Sequence, residues 1–283
     1  CQYQYYINVS INIKMATIPI YHATIVPPVT EAMSTEYFEN FLNTTMNSTS
    51  GELITIMNHG KLVLSWREGI TLPPIPQGTL LTASLGIAAD FGALADAAIT
   101  GTGSIDGDVG SETGAIALTV TSTGTIYATG DPVVLDAMGI LETVYGDVKT
   151  RPYDDLLSPG AYDFGGKTLT AGIQKVVGIG SMTTPLTLDG QDDPDAFFLI
   201  QIGGALNTTA TTGNVILTRG AQSKNVFWVV EGAITTGASS HIEGTLFARD
   251  AFTSGASTTI NGRLYSVFAA ITLGASTTVT APS

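Results

Sequence analysis

Five Gly-Ala dipeptides in the last third of the chain form a series whose separations rise only from 16 to 19 residues. A near-constant period marked by small turn residues, without helical spacing of apolar residues, is typical of a solenoid whose coils stack on one another. The sequence therefore predicts a stack of β-coils with turns at these steps. The five steps are Gly204-Ala205, Gly220-Ala221, Gly237-Ala238, Gly255-Ala256 and Gly274-Ala275.

The last three repeats align residue by residue and predict which side chains face outward. Successive side chains of a strand point to opposite sides. If the side chains of Ile234, Phe252 and Ile271 point inward, the residues before and after each of them are exposed. The outward positions form one alanine column and one threonine column, in which neighbours lie about 4.8 Å apart. Leu273 interrupts the pattern where the other two repeats have a hydroxyl residue. The columns are Ala233, Ala251 and Ala270, and Thr235, Thr253 and Thr272.

A second face is predicted beyond the turn. Ser239, Ser257 and Ser276 fall outward, and they are followed by His241, Thr259 and Thr278. His241 breaks this second row, so we prefer the alanine and threonine columns, with the three serines, as the candidate binding surface. Exposed threonine columns also serve strand propensity and solubility in any β-solenoid, and this plain structural interpretation stays open.

The composition excludes several classes of partner. Charged residues make up only 12% of the chain, against about 25% in typical soluble proteins. The formal net charge of -13 argues against nucleic acid or an anionic membrane as partner. No stretch approaches the roughly 18 apolar residues of a membrane span. A threonine-rich surface with little Lys and Glu favours a secreted or cell-surface protein, and the single cysteine, Cys1, allows no disulfide within the chain.

No arrangement of residues predicts catalysis. The three histidines are scattered, and no nucleophile elbow, phosphate-binding loop or metal-ligand pair has diagnostic spacing. The acidic run containing Asp189, Asp192, Asp193 and Asp195 has two interpretations, a calcium ligand set or a solvated loop. It lacks the twelve-residue EF-hand pattern, so we predict neither a metal site nor a cofactor and expect a protein that is not an enzyme.

Residues 2–16 alternate cleanly between apolar and polar side chains and predict a long β-strand. This strand either pairs within its own domain or completes the sheet of a neighbouring molecule, as in donor-strand polymers. The residues that would be donated are Tyr3, Tyr5, Ile7, Val9, Ile11 and Ile13.

The rest of the chain divides into two predicted domains. A short amphipathic helix over 34–46 and a hairpin of Glu52–Asn58 and Lys61–Arg67 make 1–77 a small α+β extension, which ends in a proline-rich segment. Residues 78–283 form the solenoid. Apolar residues at helical spacing predict one helix over about 131–150, although Gly139 and Gly146 weaken this prediction. Such a helix would cover an apolar face of the solenoid.

Seven segments in residues 80–283 resemble the ice-binding (antifreeze) proteins of cold-adapted bacteria, fungi and algae in content, order and spacing. The resemblance implies a discontinuous right-handed β-helix of triangular section with one long helix alongside, and it does not extend to 1–77. The segments are LGIAADFGALA (85–95), GDVG (107–110), LSPGAYDF (157–164), LTLDGQDDPDAFFLIQIGG (186–204), VILTRGAQSKNVFWVV (215–230), INGR (260–263) and TVTAP (278–282).

The resemblance also implies a function, an extracellular protein that adsorbs to ice through a flat face rich in Thr, Ser and Ala. The alternative is a structural subunit of an extracellular filament or adhesin, which reuses the same scaffold and polymerises through the strand at 2–16. Ice is the partner in the first case and a second copy of the chain in the other.

Overall fold

The structure is a computed structural model that describes residues 20–25, 51–58, 61–68, 81–82, 84–117 and 119–282. The chain separates into two compact units, Cys1–Pro74 and Ile75–Ser283. In the first, an antiparallel sheet places β3 (Lys61–Glu68) between β1 (Ile20–Ile25) and β2 (Gly51–Asn58), which confirms the predicted hairpin. The predicted strand at 2–16, the helix at 34–46 and the boundary after residue 77 lie outside the described residues.

The second unit is the predicted right-handed β-helix, with three parallel sheets as its sides. One side, the helix-covered sheet, is buried on both faces apart from its end strand at Asp155–Ser158, as is usual for parallel strands. Its strands are β4 (Phe91–Ala95), β6 (Asp108–Ser111), β8 (Asp155–Ser158), β11 (Gly172–Val176), β14 (Phe198–Ile202), β17 (Val226–Val230), β20 (Thr245–Ala248) and β23 (Leu264–Ser266).

The other two sides expose one surface each to solvent. The alanine–threonine face consists of β9 (Tyr162–Asp163), β12 (Gly180–Met182), β15 (Leu206–Thr208), β18 (Ile234–Thr236), β21 (Phe252–Ser254) and the first parts of β5 (Ile99–Ile105) and β24 (Ile271–Thr280). The histidine face consists of β7 (Val120–Ser122), β10 (Thr168–Thr170), β13 (Leu186–Asp189), β16 (Val215–Thr218), β19 (His241–Glu243), β22 (Thr259–Asn261) and the second parts of β5 and β24.

The order of coils in the stack differs from their order in the chain. β4 pairs with β23 and β5 pairs with β24, both in parallel, so the first coil of the unit stacks on its last coil. We call this contact the junction. Strands β6 and β7 continue the stack beyond it, while β8, β9 and β10 lie at the opposite end. The predicted discontinuous β-helix is thereby confirmed.

Helix α1 (Pro132–Thr150) confirms the predicted helix and covers the outer face of the helix-covered sheet. The Asp131 side chain accepts a hydrogen bond from the Val133 N–H at 2.9 Å and caps its first turn. At the other end, the buried Gln201 donates to the carbonyls of Val148 and Arg151. A Cβ built at Gly139 or Gly146 would meet no atom within 4 Å, so these glycines lie on the open side and leave the packing intact. The buried stripe is Val134, Ala137, Met138, Leu141, Val144, Tyr145 and Val148.

The Gly-Ala steps do not all occupy equivalent positions. Gly204-Ala205 enters the alanine–threonine face, whereas Gly220-Ala221 follows β16 at another corner. The last three steps share one corner, between the alanine–threonine face and the histidine face. There the glycines serve close approach of the backbone, since a Cβ on Gly255 would lie 2.3 Å from the Ala238 nitrogen.

Candidate functional site

An unbroken alanine column runs along the alanine–threonine face and is set by the sheet's own hydrogen bonds. The N–H groups of Ile234, Phe252 and Ile271 donate to the carbonyls of Ala251, Ala270 and Ala98, each at 3.0 Å. The bond from Ile271 crosses the junction, so the column continues into the first coil of the unit. Its members in stacking order are Ala205, Ala233, Ala251, Ala270, Ala98 and Ala115.

Beside the alanines stands a column of four exposed threonines. Thr235 pairs with Thr253, Thr253 with Thr272, and Thr272 with Thr100 across the junction. The hydroxyls of Thr100 and Thr272 lie 3.3 Å apart. Asn207 occupies the same position in the coil before Thr235. The structure therefore brings together all six predicted alanines and threonines. It extends the threonine column by one coil and the alanine column by three coils.

Inward residues fix the direction of these side chains. Ile234, Phe252 and Ile271 are at most 1% exposed and fill the interior, as the alternation predicts. Leu273 also points inward and is 2% exposed, so it does not interrupt the surface. The prediction that Leu273 breaks the face is wrong, because Thr236, Ser254 and Leu273 all stand on the buried side of their strands.

The three predicted serines lie at the edge of the face rather than on it. Ser239, Ser257 and Ser276 are exposed, but they adopt left-handed backbone angles, with φ between 56° and 59°, at the corner toward the histidine face. Thr211 has the same conformation in the preceding coil. They form a separate column along the corner, whose backbone turns away from the plane of the alanines and threonines.

The regular surface ends before the far end of the stack. In the two coils beyond Asn207, the threonine position is taken by Ser181 and then by Asp163. The alanine position in the first of these coils is taken by Ile179, which is 51% exposed. From Asn207 to Thr100 neither column carries a charged side chain. The flat and neutral part of the face therefore spans about five coils around the junction.

The histidine face carries a hydroxyl row with a charged interruption. Thr121, Ser104, Thr278 and Thr259 pair in order, and His241 follows on the neighbouring coil. His241 Nε2 lies 2.7 Å from Glu243 Oε1, and His241 Nδ1 lies 2.7 Å from Thr259 Oγ1. The hydrogen bond to Glu243 raises the pKa of His241, although partial burial opposes the shift. The second Glu243 oxygen is buried without a hydrogen-bond partner.

The acidic run after β13 is held by an arginine. Arg219 lies 3.1 Å from Asp189 and 2.9 Å from Asp192, while Asp193 accepts a hydrogen bond from the Asp195 N–H. Within the part of the chain that the structure describes, no three His, Cys, Asp or Glu side chains are grouped as a metal site would need. None of the helices among those residues is both long and apolar enough to cross a membrane.

Both the sequence and the structure of this chain are similar to those of known proteins. The ice-binding-like family matches residues 85–280. An ice-binding protein of Flavobacterium frigoris (strain PS1) is 34% identical over 72% of this chain and 78% of its own length. The crystal structure of an ice-binding protein from the Antarctic ascomycete Antarctomyces psychrotrophicus has a TM-score of 0.65 at 33% identity, over 69% of this chain and 96% of that one.

A second crystal structure, of an ice-binding protein from an Antarctic biological consortium, has a TM-score of 0.66 at 27% identity. It covers 76% of this chain and 95% of that chain. The family match spans well over half of the sequence, from the first coil of the β-helix to the last strand in the chain. The chain therefore belongs to the ice-binding-like family.

Proposed function

We propose that this protein binds ice by adsorption through the alanine–threonine face, and that it acts outside the cell. The observation that carries the proposal is the pair of columns that continues across the junction, with Thr235, Thr253, Thr272 and Thr100 in register beside four alanines. Family membership supports the choice of ligand, because the similar proteins described above are ice-binding proteins.

The physical basis is a preorganised array rather than any single strong contact. Parallel pairing repeats the same side chains about every 4.8 Å along the stack. Threonine is stiff at χ1, so its methyl and hydroxyl groups keep fixed positions before binding. The half-buried alanines keep the surface flat. Water held between the columns can join a crystal plane, and growth stops where the protein is attached.

Rigidity limits the entropy lost on adsorption, which matters when each contact is weak. The interior behind the face is closely packed by large side chains that include Phe252, Ile234 and Trp228. The Trp228 indole also donates a hydrogen bond to the Glu243 carbonyl at 2.9 Å and ties the helix-covered sheet to the histidine face. The scaffold therefore supports a surface that keeps its shape.

Thermal hysteresis and ice recrystallisation inhibition by the purified protein test the proposal. We expect the wild type to shape ice crystals and Thr253→Tyr to lose most of this activity, because a phenol would stand above the threonine column. Absence of any ice shaping by a folded wild type would overturn the proposed function.

The filament alternative depends on residues 2–16, which lie outside the described residues, and none of the similar proteins adds support to it. It stays a prediction. Deletion of 2–16 separates the cases, since loss of filaments in electron micrographs would favour strand donation.

A further inference from the structure

A ladder of buried hydroxyl pairs lies directly behind the edge of the alanine–threonine face. Three pairs connect adjacent coils, and their oxygen atoms lie 2.9, 3.2 and 2.7 Å apart. All six side chains are at most 9% exposed. We call this set the corner ladder, and its pairs are Thr208 with Ser240, Thr236 with Thr258, and Ser254 with Thr277.

The ladder is adjacent to the threonine column in the sequence as well as in space. Thr236 directly follows Thr235, and Ser254 directly follows Thr253, on the same strands. Each partner belongs to the next coil and stands where the chain enters the histidine face. A hydroxyl pair therefore links the strand that carries one column residue to the coil that carries the next one.

The same hydroxyls also hold the corner backbone. The Gly274 N–H donates to the Ser254 hydroxyl at 2.9 Å, and the Thr277 hydroxyl donates to the Gly274 carbonyl at 2.8 Å. Equivalent bonds join the Gly237 N–H to Thr208 and the Thr258 hydroxyl to the Gly255 carbonyl. These contacts fix the distance and the angle between coils, which apolar packing alone does not do.

The ladder ends where the corner loop ends. At the junction, Leu273 replaces the hydroxyl residue, and the opposing strand β5 passes straight through Gly101 and Gly103. A Cβ on Gly101 would lie 1.8 Å from the Leu273 carbonyl oxygen, so the two coils are already fixed by close contact. Hydroxyl pairs are thus present between three pairs of adjacent coils that have a corner loop. They are absent at the junction, where close backbone contact sets the distance between the coils.

Burying a hydroxyl group in the interior carries a desolvation cost that an apolar side chain does not have. Replacing both members of a buried hydrogen-bonded pair by apolar groups of the same shape can be nearly neutral for stability. What a paired hydroxyl adds is a directional constraint. We propose that the corner ladder positions the column residues for ice adsorption, with Thr236 and Ser254 acting as positioning residues for Thr235 and Thr253. This inference rests on the proposed function.

The Thr236→Val variant tests the proposal, because it keeps the volume of the side chain and removes its hydrogen bond to Thr258. Thr236→Ser is the rescue variant, since it keeps the hydroxyl and removes the methyl group. Thr245→Val is the matched control, as Thr245 is 1% exposed and lies on the helix-covered sheet. Thermal hysteresis, the melting temperature and the NMR order parameters of the Thr235 and Thr253 methyl groups are measured for all of them.

We expect Thr236→Val to lose about threefold in hysteresis and to lower the methyl order parameters, because adsorption depends on preorganisation. The melting temperature should change little, because the Thr258 hydroxyl keeps its hydrogen bond to the Gly255 carbonyl and is not left unsatisfied. Thr236→Ser and Thr245→Val should keep wild-type hysteresis. Full activity in a folded Thr236→Val variant would overturn the inference, and so would activity that follows the melting temperature across the set. Failure of Thr236→Val to fold near 0 °C would show a role in the fold itself and also overturn it.

The proposed function fails in a different way. If the folded wild type shows no hysteresis, the ice-binding proposal is lost whatever the ladder does. If the wild type is active, Thr253→Tyr is inactive and Thr236→Val is fully active, only the inference about the ladder is lost.

Discussion

The two exposed faces of the β-helix are made by the same coils from the same kinds of residue, yet only one is regular. On the alanine–threonine face, the neighbour of each threonine is an alanine two residues earlier in the chain. On the histidine face, the neighbours two residues later are Glu243, Asn261 and Thr280. One surface is flat and neutral, whereas the other carries a buried carboxylate and an imidazole.

The comparison shows that exposed hydroxyls alone do not distinguish the two faces. Both faces place four hydroxyl residues on consecutive coils, and both cross the junction. They differ in what surrounds the hydroxyls and in whether those side chains are already engaged. The Thr259 hydroxyl is paired with His241, while Thr235 and Thr253 stand in a column of like residues.

The largest expected effect comes from the same substitution on two halves of one strand. Thr272→Tyr and Thr278→Tyr both lie on β24, the first on the alanine–threonine face and the second on the histidine face. We expect Thr272→Tyr to lower thermal hysteresis roughly tenfold and Thr278→Tyr to change it less than about twofold, because adsorption relies on many weak contacts over one surface. Equal losses in the two variants would mean that the faces do not differ in function.

A smaller loss should follow from spoiling the flatness of the alanine column. Ala251→Leu places a branched side chain beside Thr253, and we expect hysteresis to fall about threefold because water can no longer order across the columns. Ala256→Leu introduces the same residue at the exposed corner of the same coil and serves as the control. If Ala256→Leu were as harmful as Ala251→Leu, the active surface would extend around the corner.

A substitution in the serine column at the corner should change the stability of the protein without changing its adsorption to ice. Ser257 has φ of 56°, a region that glycine reaches without a steric penalty. We expect Ser257→Gly to raise the free energy of unfolding by about 0.5 kcal/mol and to leave hysteresis unchanged. Urea unfolding measures the free energy of unfolding. The Ser104→Gly variant, which changes a residue on an extended strand, should lower that free energy instead. A drop in hysteresis for Ser257→Gly would return the corner serines to the binding surface.

The smallest expected effect is a pH dependence of the melting temperature, and it concerns the pair of His241 and Glu243 on the histidine face. The hydrogen bond to Glu243 raises the pKa of His241, so the folded state binds the proton more tightly than the unfolded state. The resulting stabilisation is complete below the unfolded pKa of about 6.5 and is lost as pH rises through the raised value.

The His241 side chain is 47% exposed, and exposed pairs contribute little, so we expect a melting temperature only roughly 1–2 °C higher at low than at high pH across this window. His241→Gln should remove this difference from the pH profile of melting. A profile identical to that of the wild type would show that the pair does not act on stability.

The sequence predicts the fold and the centre of the alanine–threonine face because three consecutive coils repeat nearly the same residues. It misses Thr100 and Ala98, since nothing in chain order places the first coil against the last. A signal was present, as Ala98-Ile99-Thr100 repeats the alanine, apolar, threonine pattern of Ala233–Thr235. The wrong expectation for Leu273 has a simpler cause, because strand alternation already places that residue inside.

The serines were harder to place from the sequence. Their outward direction follows from alternation, but their left-handed backbone does not, since non-glycine residues rarely adopt it. The corner ladder was equally hidden, because Thr236 and Ser254 look like further members of an exposed hydroxyl pattern. Only the burial of these side chains distinguishes hydroxyls that face water from hydroxyls that face one another.

The junction has a consequence for how the molecule is made. Leu94 pairs with Tyr265, and Thr100 pairs with Thr272, so the first coil to leave the ribosome has no partner on that side until the last coil emerges. The middle coils can stack in order as they are synthesised, but the pairing of β4 with β23 is a long-range contact that must form late. The column of four threonines is therefore completed only at the end of synthesis, and a stalled or shortened chain would carry a shorter one.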